Sequence, residues 1–216
     1  MIRRIALGLA TAGLALLPHA RASALPLISE VYYDAVGSDD GLSFVELYGA
    51  PGTDLADYVI DGINGSDGAV TPSLTLSGVI AADGFFVVAD RLPDGSTLVS
   101  AADLILNFDL QNGPDSIELL EPGGAIVDAV GYGVFAAGEI FAGEGSPTVD
   151  PAAGTAIARL FANVDTDRNA LDFGAAAPSP GEGPIASVPE PATGLLLAGG
   201  LTGLVRCGRR RTAART

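Results

Sequence analysis

The sequence predicts an all-β domain, a β-sandwich, and three observations predict it. Between residues 25 and 188, short runs rich in β-branched and aromatic residues recur between clusters of Gly, Pro, Asp and Asn. No apolar pattern of helical period is sustained over that stretch. No unit repeats at a fixed interval, which disfavours a solenoid or a propeller. Many short strands with turn signals and no helices build two packed sheets.

The first 24 residues stand apart from that domain. Arg3 and Arg4 open the chain, Ile5 to Leu17 is apolar, and Ala22-Ser23-Ala24 places small residues at alternate positions. This pattern is a secretory signal peptide (1–24), with Ala22 and Ala24 at the cleavage site and signal peptidase as the processing enzyme.

Strands are expected at Leu27–Tyr33, Ser43–Tyr48, Tyr58–Asp61, Ser73–Ser77, Gly84–Ala89, Asp103–Leu106, Ser116–Leu120, Ala125–Gly131 and Ala156–Phe161. The seventh and eighth form the clearest hairpin. Glu121-Pro122-Gly123-Gly124 between them supplies a preset φ and an unstrained positive φ. In Ser116–Leu120, Ile117 and Leu119 share one face and Glu118 the other. The sandwich is expected over 25–174. Ala175 to Pro184 is all Ala, Pro, Gly, Ser and Glu, so residues 175–187 read as a flexible linker.

From residue 188 the chain has three consecutive parts. Val188-Pro189-Glu190-Pro191 is rigid and extended, because each Pro fixes its own φ and pushes the preceding residue out of the α region. Ala192 to Val205 is an uncharged apolar run of 14 residues, short of the roughly 20 that span a bilayer comfortably. Gly199, Gly200 and Gly203 argue against a soluble core helix, since each costs about 1 kcal/mol relative to Ala. Arg206, Arg209, Arg210, Arg211 and Arg215 form a basic end that fits the cytoplasmic side of a membrane.

This order at 188–216 resembles the PEP-CTERM sorting signal of Gram-negative bacteria. The resemblance implies a single transmembrane sorting helix and removal of the signal by the membrane protease exosortase. It also implies export through the inner membrane, with the product at the cell surface or outside the cell. Contact with the membrane would then be made only through that transient helix. A plain C-terminal anchor would explain the arginines but not Pro189-Glu190-Pro191.

Removing both ends changes the charge balance. The chain has 11 basic and 26 acidic residues and no Lys. Without Arg3, Arg4, Arg21, the five C-terminal arginines and Glu190, three bases (Arg91, Arg159 and Arg168) face 25 acids, a net charge of −22. Such a surface repels nucleic acid and anionic membranes. The only His is His19 and the only Cys is Cys207. Residues 25–188 therefore hold no imidazole, thiol or amine side chain. A Ser-His-Asp triad, a Cys-His pair, a Lys Schiff base, a Cys/His zinc site and a disulfide are all excluded there.

What remains is carboxylate chemistry. Asp165-Thr166-Asp167-Arg168-Asn169, followed by Asp172 and Phe173, places oxygen ligands at alternate positions, as a hard cation such as Ca²⁺ needs. Asp165, Asp167, Asn169 and Asp172 are the candidate calcium ligands. As an EF-hand the segment fails, with Ala170 at the glycine position and Ala176 at the bidentate glutamate position. The structural alternative is that Asp165 and Asn169 make Asx-turns while Phe173 fills the core. Asp34, Asp39 and Asp40 form a second acidic group, more simply a solvated turn. Glu30 and Glu46, on adjacent expected strands, are the pair a glycosidase would need, but there is no Trp to line a sugar cleft. Tyr32, Tyr33, Tyr48, Tyr58 and Tyr132 could line a binding strip or fill the core.

The same strands carry a second resemblance. Ile28-Ser29-Glu30-Val31-Tyr32, Phe44-Val45-Glu46-Leu47-Tyr48 and Asp54-Leu55 before Tyr58-Val59-Ile60 resemble the opening of a lamin-tail domain. Gly84-Phe85-Phe86-Val87-Val88, Asp115-Ser116-Ile117-Glu118-Leu119-Leu120 and Val127-Asp128-Ala129-Val130-Gly131-Tyr132 continue it. This resemblance implies an immunoglobulin-like β-sandwich. Gly49 and Asp57-Tyr58 depart from the family's usual Asn and Gly-Trp. Together these observations lead to the expectation of an exported, exosortase-processed cell-surface or extracellular-matrix protein. Its role would be structural or an interaction with extracellular polysaccharide or a surface protein, without enzymatic activity or a resident cofactor. The alternatives are a calcium-dependent carbohydrate- or protein-binding module and a carboxylate-only hydrolase.

Overall fold

The computed structural model describes residues 25–183. The expected signal peptide with Ala22 and Ala24, and the expected sorting segment with Val188, Pro189, Glu190, Pro191, Arg206, Arg209, Arg210 and Arg211, lie outside the described residues. None of the described helices is long and apolar enough to cross a membrane.

Among the described residues, ten strands and one short helix follow in order. They are β1 (Leu27–Tyr32), β2 (Phe44–Tyr48), β3 (Val59–Asn64), β4 (Val70–Thr75), β5 (Phe85–Asp90), β6 (Leu104–Leu106), β7 (Asp115–Leu120), β8 (Ile126–Tyr132), β9 (Ala156–Arg159), α1 (Asn169–Asp172) and β10 (Phe173–Ala176). They form a six-stranded sheet, ordered β10-β9-β1-β2-β5-β6, and a four-stranded sheet, ordered β4-β3-β7-β8. All pairings are antiparallel except β5–β6. The all-β expectation holds, and each of the nine expected strands is occupied. The β7–β8 hairpin turns at Glu121–Ala125, where the Glu121 N–H donates to the Ala125 carbonyl at 2.9 Å.

Alternation puts one face of each sheet into a shared core. Val45 and Leu47 of β2, Phe86 and Val88 of β5, Ile60 of β3, Ile117 and Leu119 of β7, Val130 of β8 and Ile157 of β9 belong to one buried cluster. Tyr33 stacks on Tyr132 at 4.4 Å between ring centroids, joining the end of β1 to β8.

The larger sheet is buried on its other face too. Tyr32, Phe44, Val87, Ala89 and Ala156 form a second cluster with Ala35 and with Val99. Val99 belongs to the crossover between β5 and β6 that runs over this face. Burial on both faces is why β5 reads as the unbroken apolar run Phe85-Phe86-Val87-Val88 rather than alternating.

Two features depart from the sequence reading. The chain after Asp172 makes a tenth strand, whose Ala175 and Ala176 pair with Ile157 and Ala156. The linker therefore does not begin at 175. Beyond the strand, Ser179 and Gly181 lie against the outer face of the larger sheet instead of leaving it. The reason is packing and hydrogen bonding: small residues fit close to the sheet, and buried acceptors await their N–H groups. Gly181 has φ 82°, and a Cβ there would come within 2.7 Å of the Ala101 side chain, so glycine is required.

Candidate functional site

The site begins with a defect in β1. Its register with β2 shifts between Ile28 and Glu30, and its ladder with β9 covers only Glu30 and Val31. The backbone groups of Ile28 are thus buried beyond the ladder, where unpaired groups are costly. Side chains take over. Ile28 N–H donates to Asp128 Oδ2 at 2.6 Å, and Arg159 Nε donates to the Ile28 carbonyl at 2.9 Å. Arg159 Nη2 donates to the same Asp128 oxygen at 2.6 Å, and Nη1 to the Val164 carbonyl at 2.9 Å. The guanidinium also lies 4.4 Å from the Phe173 ring centroid. Arg159 and Asp128 are both fully buried. Burial pushes the Asp128 carboxyl above its usual range, and Arg159 and the Ile28 N–H oppose that rise.

An acidic corner adjoins this ion pair. Asp165 Oδ1 lies 3.5 Å from Arg159 Nη1. The loop between β8 and β9 brings in Glu144, pinned by Ala142 N–H to Ser116 Oγ at 3.1 Å and by Glu144 N–H to Asn169 Oδ1 at 2.8 Å. One carboxylate oxygen each from Asp128, Glu144 and Asp165 lies within 4.8 Å of the other two. Asp128 Oδ1 and Glu144 Oε2 are buried without a hydrogen-bond partner. Burial, followed by the charges of Asp128, Asp165 and Asp167, pushes Glu144 up to about 8, with Arg159 opposing.

Of the four candidate calcium ligands, only Asp165 joins this convergent acidic set, while Asp172 Oδ2 borders it, 3.9 Å from Arg159 Nη1. Asn169 acts as a splice on the edge of β8. Its Oδ1 accepts from Gly131 N–H at 2.9 Å as well as from Glu144, and its Nδ2 donates to the Ala129 carbonyl at 2.7 Å. Asp172 accepts from Thr166 N–H and Oγ1 and from Arg168 N–H, closing the loop before α1. Asp167 has φ 54° and donates its N–H to Asp165 Oδ1 in an Asx-turn. The spacing of these residues in sequence serves a turn, while Asp128 and Glu144, remote in sequence, complete the acidic set. The cue for the ion pair was present: Arg159 is one of three bases in 25–188 and sits within the apolar run Ala156-Ile157-Ala158.

The other sequence candidates fall elsewhere. Asp39 and Asp40 line a cavity of about 240 Å³ together with Asp90, Arg91 and Asp109. Asp90 there is satisfied by the N–H groups of Gly41 and Phe108. Tyr33, Tyr58 and Tyr132 are core residues, Tyr32 joins the second cluster, and half-buried Tyr48 packs on Phe85.

Glu30 and Glu46 are direct cross-strand partners, and both are fully buried on the outer face of the larger sheet. The segment after β10 closes over them. Ser179 donates its N–H to Glu30 Oε1 at 2.9 Å and its hydroxyl to Oε2 at 2.7 Å, and Gly181 N–H donates to Glu46 Oε2 at 2.6 Å. The pair is a latch for the chain leading to residue 188. Burial pushes Glu46 up to about 7, with the charges of Glu30 and Asp83 adding to the rise and the Gly181 N–H opposing it. The folded state therefore keeps a proton that the unfolded chain releases above its ordinary value of 4.5. Glu46 favours folding fully below that value, and the benefit is lost as pH rises through about 7. Glu46→Gln keeps an acceptor for Gly181. Melting curves should show it several degrees more stable than the parent at pH 8 and closer to the parent at pH 5. A parent chain whose stability climbs from pH 5 to 8 would contradict this assignment.

Comparison with known proteins bears on the tail. The PEP-CTERM protein-sorting motif matches residues 187–211, which include Val188 to Pro191 and the arginines through Arg211. No curated protein and no solved structure matches the chain. The motif marks an exosortase-targeted, exported bacterial protein sorted to the cell surface.

Proposed function

We propose that signal peptidase and then exosortase process this protein, and that the two-sheet domain acts without catalysis at the cell surface or in the extracellular matrix. The observation that carries this reading is the sorting motif at 187–211. Its role is structural or interactive, with extracellular polysaccharide or a surface protein as partner. Two further facts support it. Residues 25–183 offer no imidazole, thiol or amine to a reaction. The carboxylate pair that the sequence singled out as glycosidase-like, Glu30 and Glu46, is covered by Ser179 and Gly181. We read the domain as lamin-tail-like and the host as Gram-negative; the quoted strand segments and the strand-rich two-sheet fold support the first reading.

The test compares the protein's mass and location in cells with and without exosortase. Loss of Ala192–Thr216 only where exosortase is present is the expected result. An intact C-terminus on surface-located protein in exosortase-positive cells would overturn the reading.

A further inference from the structure

We propose that Asp128, Glu144 and Asp165 form a calcium site that ties β8 to the two loops flanking β9. Three observations meet there. The first is convergence: one oxygen from each residue lies within 4.8 Å of the others. The second is an unmet valence in a fully buried group. Asp128 has committed Oδ2 to Ile28 and Arg159, and its Oδ1 has no partner; Glu144 Oε2 is also buried and unpartnered. A buried anionic oxygen with no donor is strongly unfavourable unless something cationic meets it. The third is charge. Arg159 already serves Asp128 at 2.6 Å, Asp165 at 3.5 Å and Asp172 at 3.9 Å, and Glu144 joins the same corner, so the carboxylates outnumber the one guanidinium and leave a surplus of negative charge for a cation to offset.

The donor chemistry selects the ion. Carboxylate oxygens with no imidazole or thiol nearby suit a hard cation. The three donors come from a strand and two loops of unrelated geometry. Calcium accepts such irregular shells, whereas Mg²⁺ demands a near-ideal octahedron. With three protein residues and water completing the shell, the site belongs with weak extracellular modules, with Kd on the order of 0.1–1 mM. The site is independent of the sorting reading, because it lies wholly within the two-sheet domain.

The experiment uses the full-length chain in non-ionic detergent. Its melting temperature is recorded in 10 mM CaCl₂, in 10 mM MgCl₂ and in chelator. Calcium should raise it by roughly 2–5 °C, and more than Mg²⁺ does. Glu144→Gln, on a partly exposed loop, should fold and lose most of that shift, and Asp165→Asn should weaken it. Calorimetric titration with CaCl₂ should give one site in the parent and none in Glu144→Gln. Equal melting in calcium and chelator, a shift equal in Mg²⁺, or a shift retained by Glu144→Gln would each overturn the proposal.

Discussion

Arg159→Ala should destabilise the two-sheet domain by about 3–5 kcal/mol, the cost of breaking a buried ion pair by removing one partner. In a domain of this size that corresponds to a melting temperature lower by about 10 °C or more. The loss has three sources. Asp128, fully buried, would lose the cation that offsets its desolvation. The carbonyls of Ile28 and Val164 would lose their donors. The face of Phe173 would lose its cation. Arg159→Lys should recover little of this, since one ammonium cannot replace three nitrogens that point at three acceptors. Adding Asp128→Asn to Arg159→Ala should restore part of the stability, because it removes the orphaned charge while keeping an acceptor for Ile28 N–H. Thermal melts of the parent and the three variants followed by circular dichroism decide it. A loss under about 1 kcal/mol for Arg159→Ala would show that the pair does not hold this corner together.

Replacing Pro189-Glu190-Pro191 by alanines should convert an exported product into full-length protein held in the inner membrane. The apolar run that follows has 14 residues and is rich in glycine, so on its own it is a weak anchor. On the proposed reading, the arginines after it would face the cytoplasm and leave residues 189–191 toward the outer face. Proline disfavours helix there and alanine favours it, so the substitution would remove the feature a protease is proposed to bind. The latch sharpens this picture. Only five residues separate Gly183 from Pro189, about 20 Å at full extension. With Ser179 and Gly181 clasped, the proposed cleavage would take place close to the folded domain. Intact-mass spectrometry of membrane and surface fractions checks the outcome. Normal cleavage of the alanine variant would remove Pro189-Glu190-Pro191 from the recognition step.

Local patterns explain what was legible before the structure. Alternation in Phe44–Tyr48 and Ser116–Leu120 announces strands, because a pleated strand has a side-chain period of 2 regardless of its partners. Glu121-Pro122-Gly123-Gly124 announces the β7–β8 turn for an equally local reason. The sorting motif is legible because its parts are consecutive and their order is the signal. The residue inventory also stands without a fold, since a domain without His, Cys or Lys excludes their chemistry in any conformation.

Non-local placement decided the rest. Glu30 and Glu46 interrupt apolar strands, which marks them as unusual, but nothing near them in sequence reveals that Ser179 and Gly181 return to cover them. The linker reading at 175 failed because composition speaks for flexibility only when no surface is waiting, and here two buried carboxylates were waiting. Asp165, Asp167, Asn169 and Asp172 looked like one set because they are neighbours in sequence. Folding separated them into turn, splice and loop closure, and gave Asp165 new neighbours in Asp128 and Glu144. Sequence alone determined the strands, the excluded chemistry and the destination of this protein. Only the tertiary structure decided which carboxylates meet, because a bulge in β1 stranded the backbone of Ile28 and drew a buried arginine and its acids to that point.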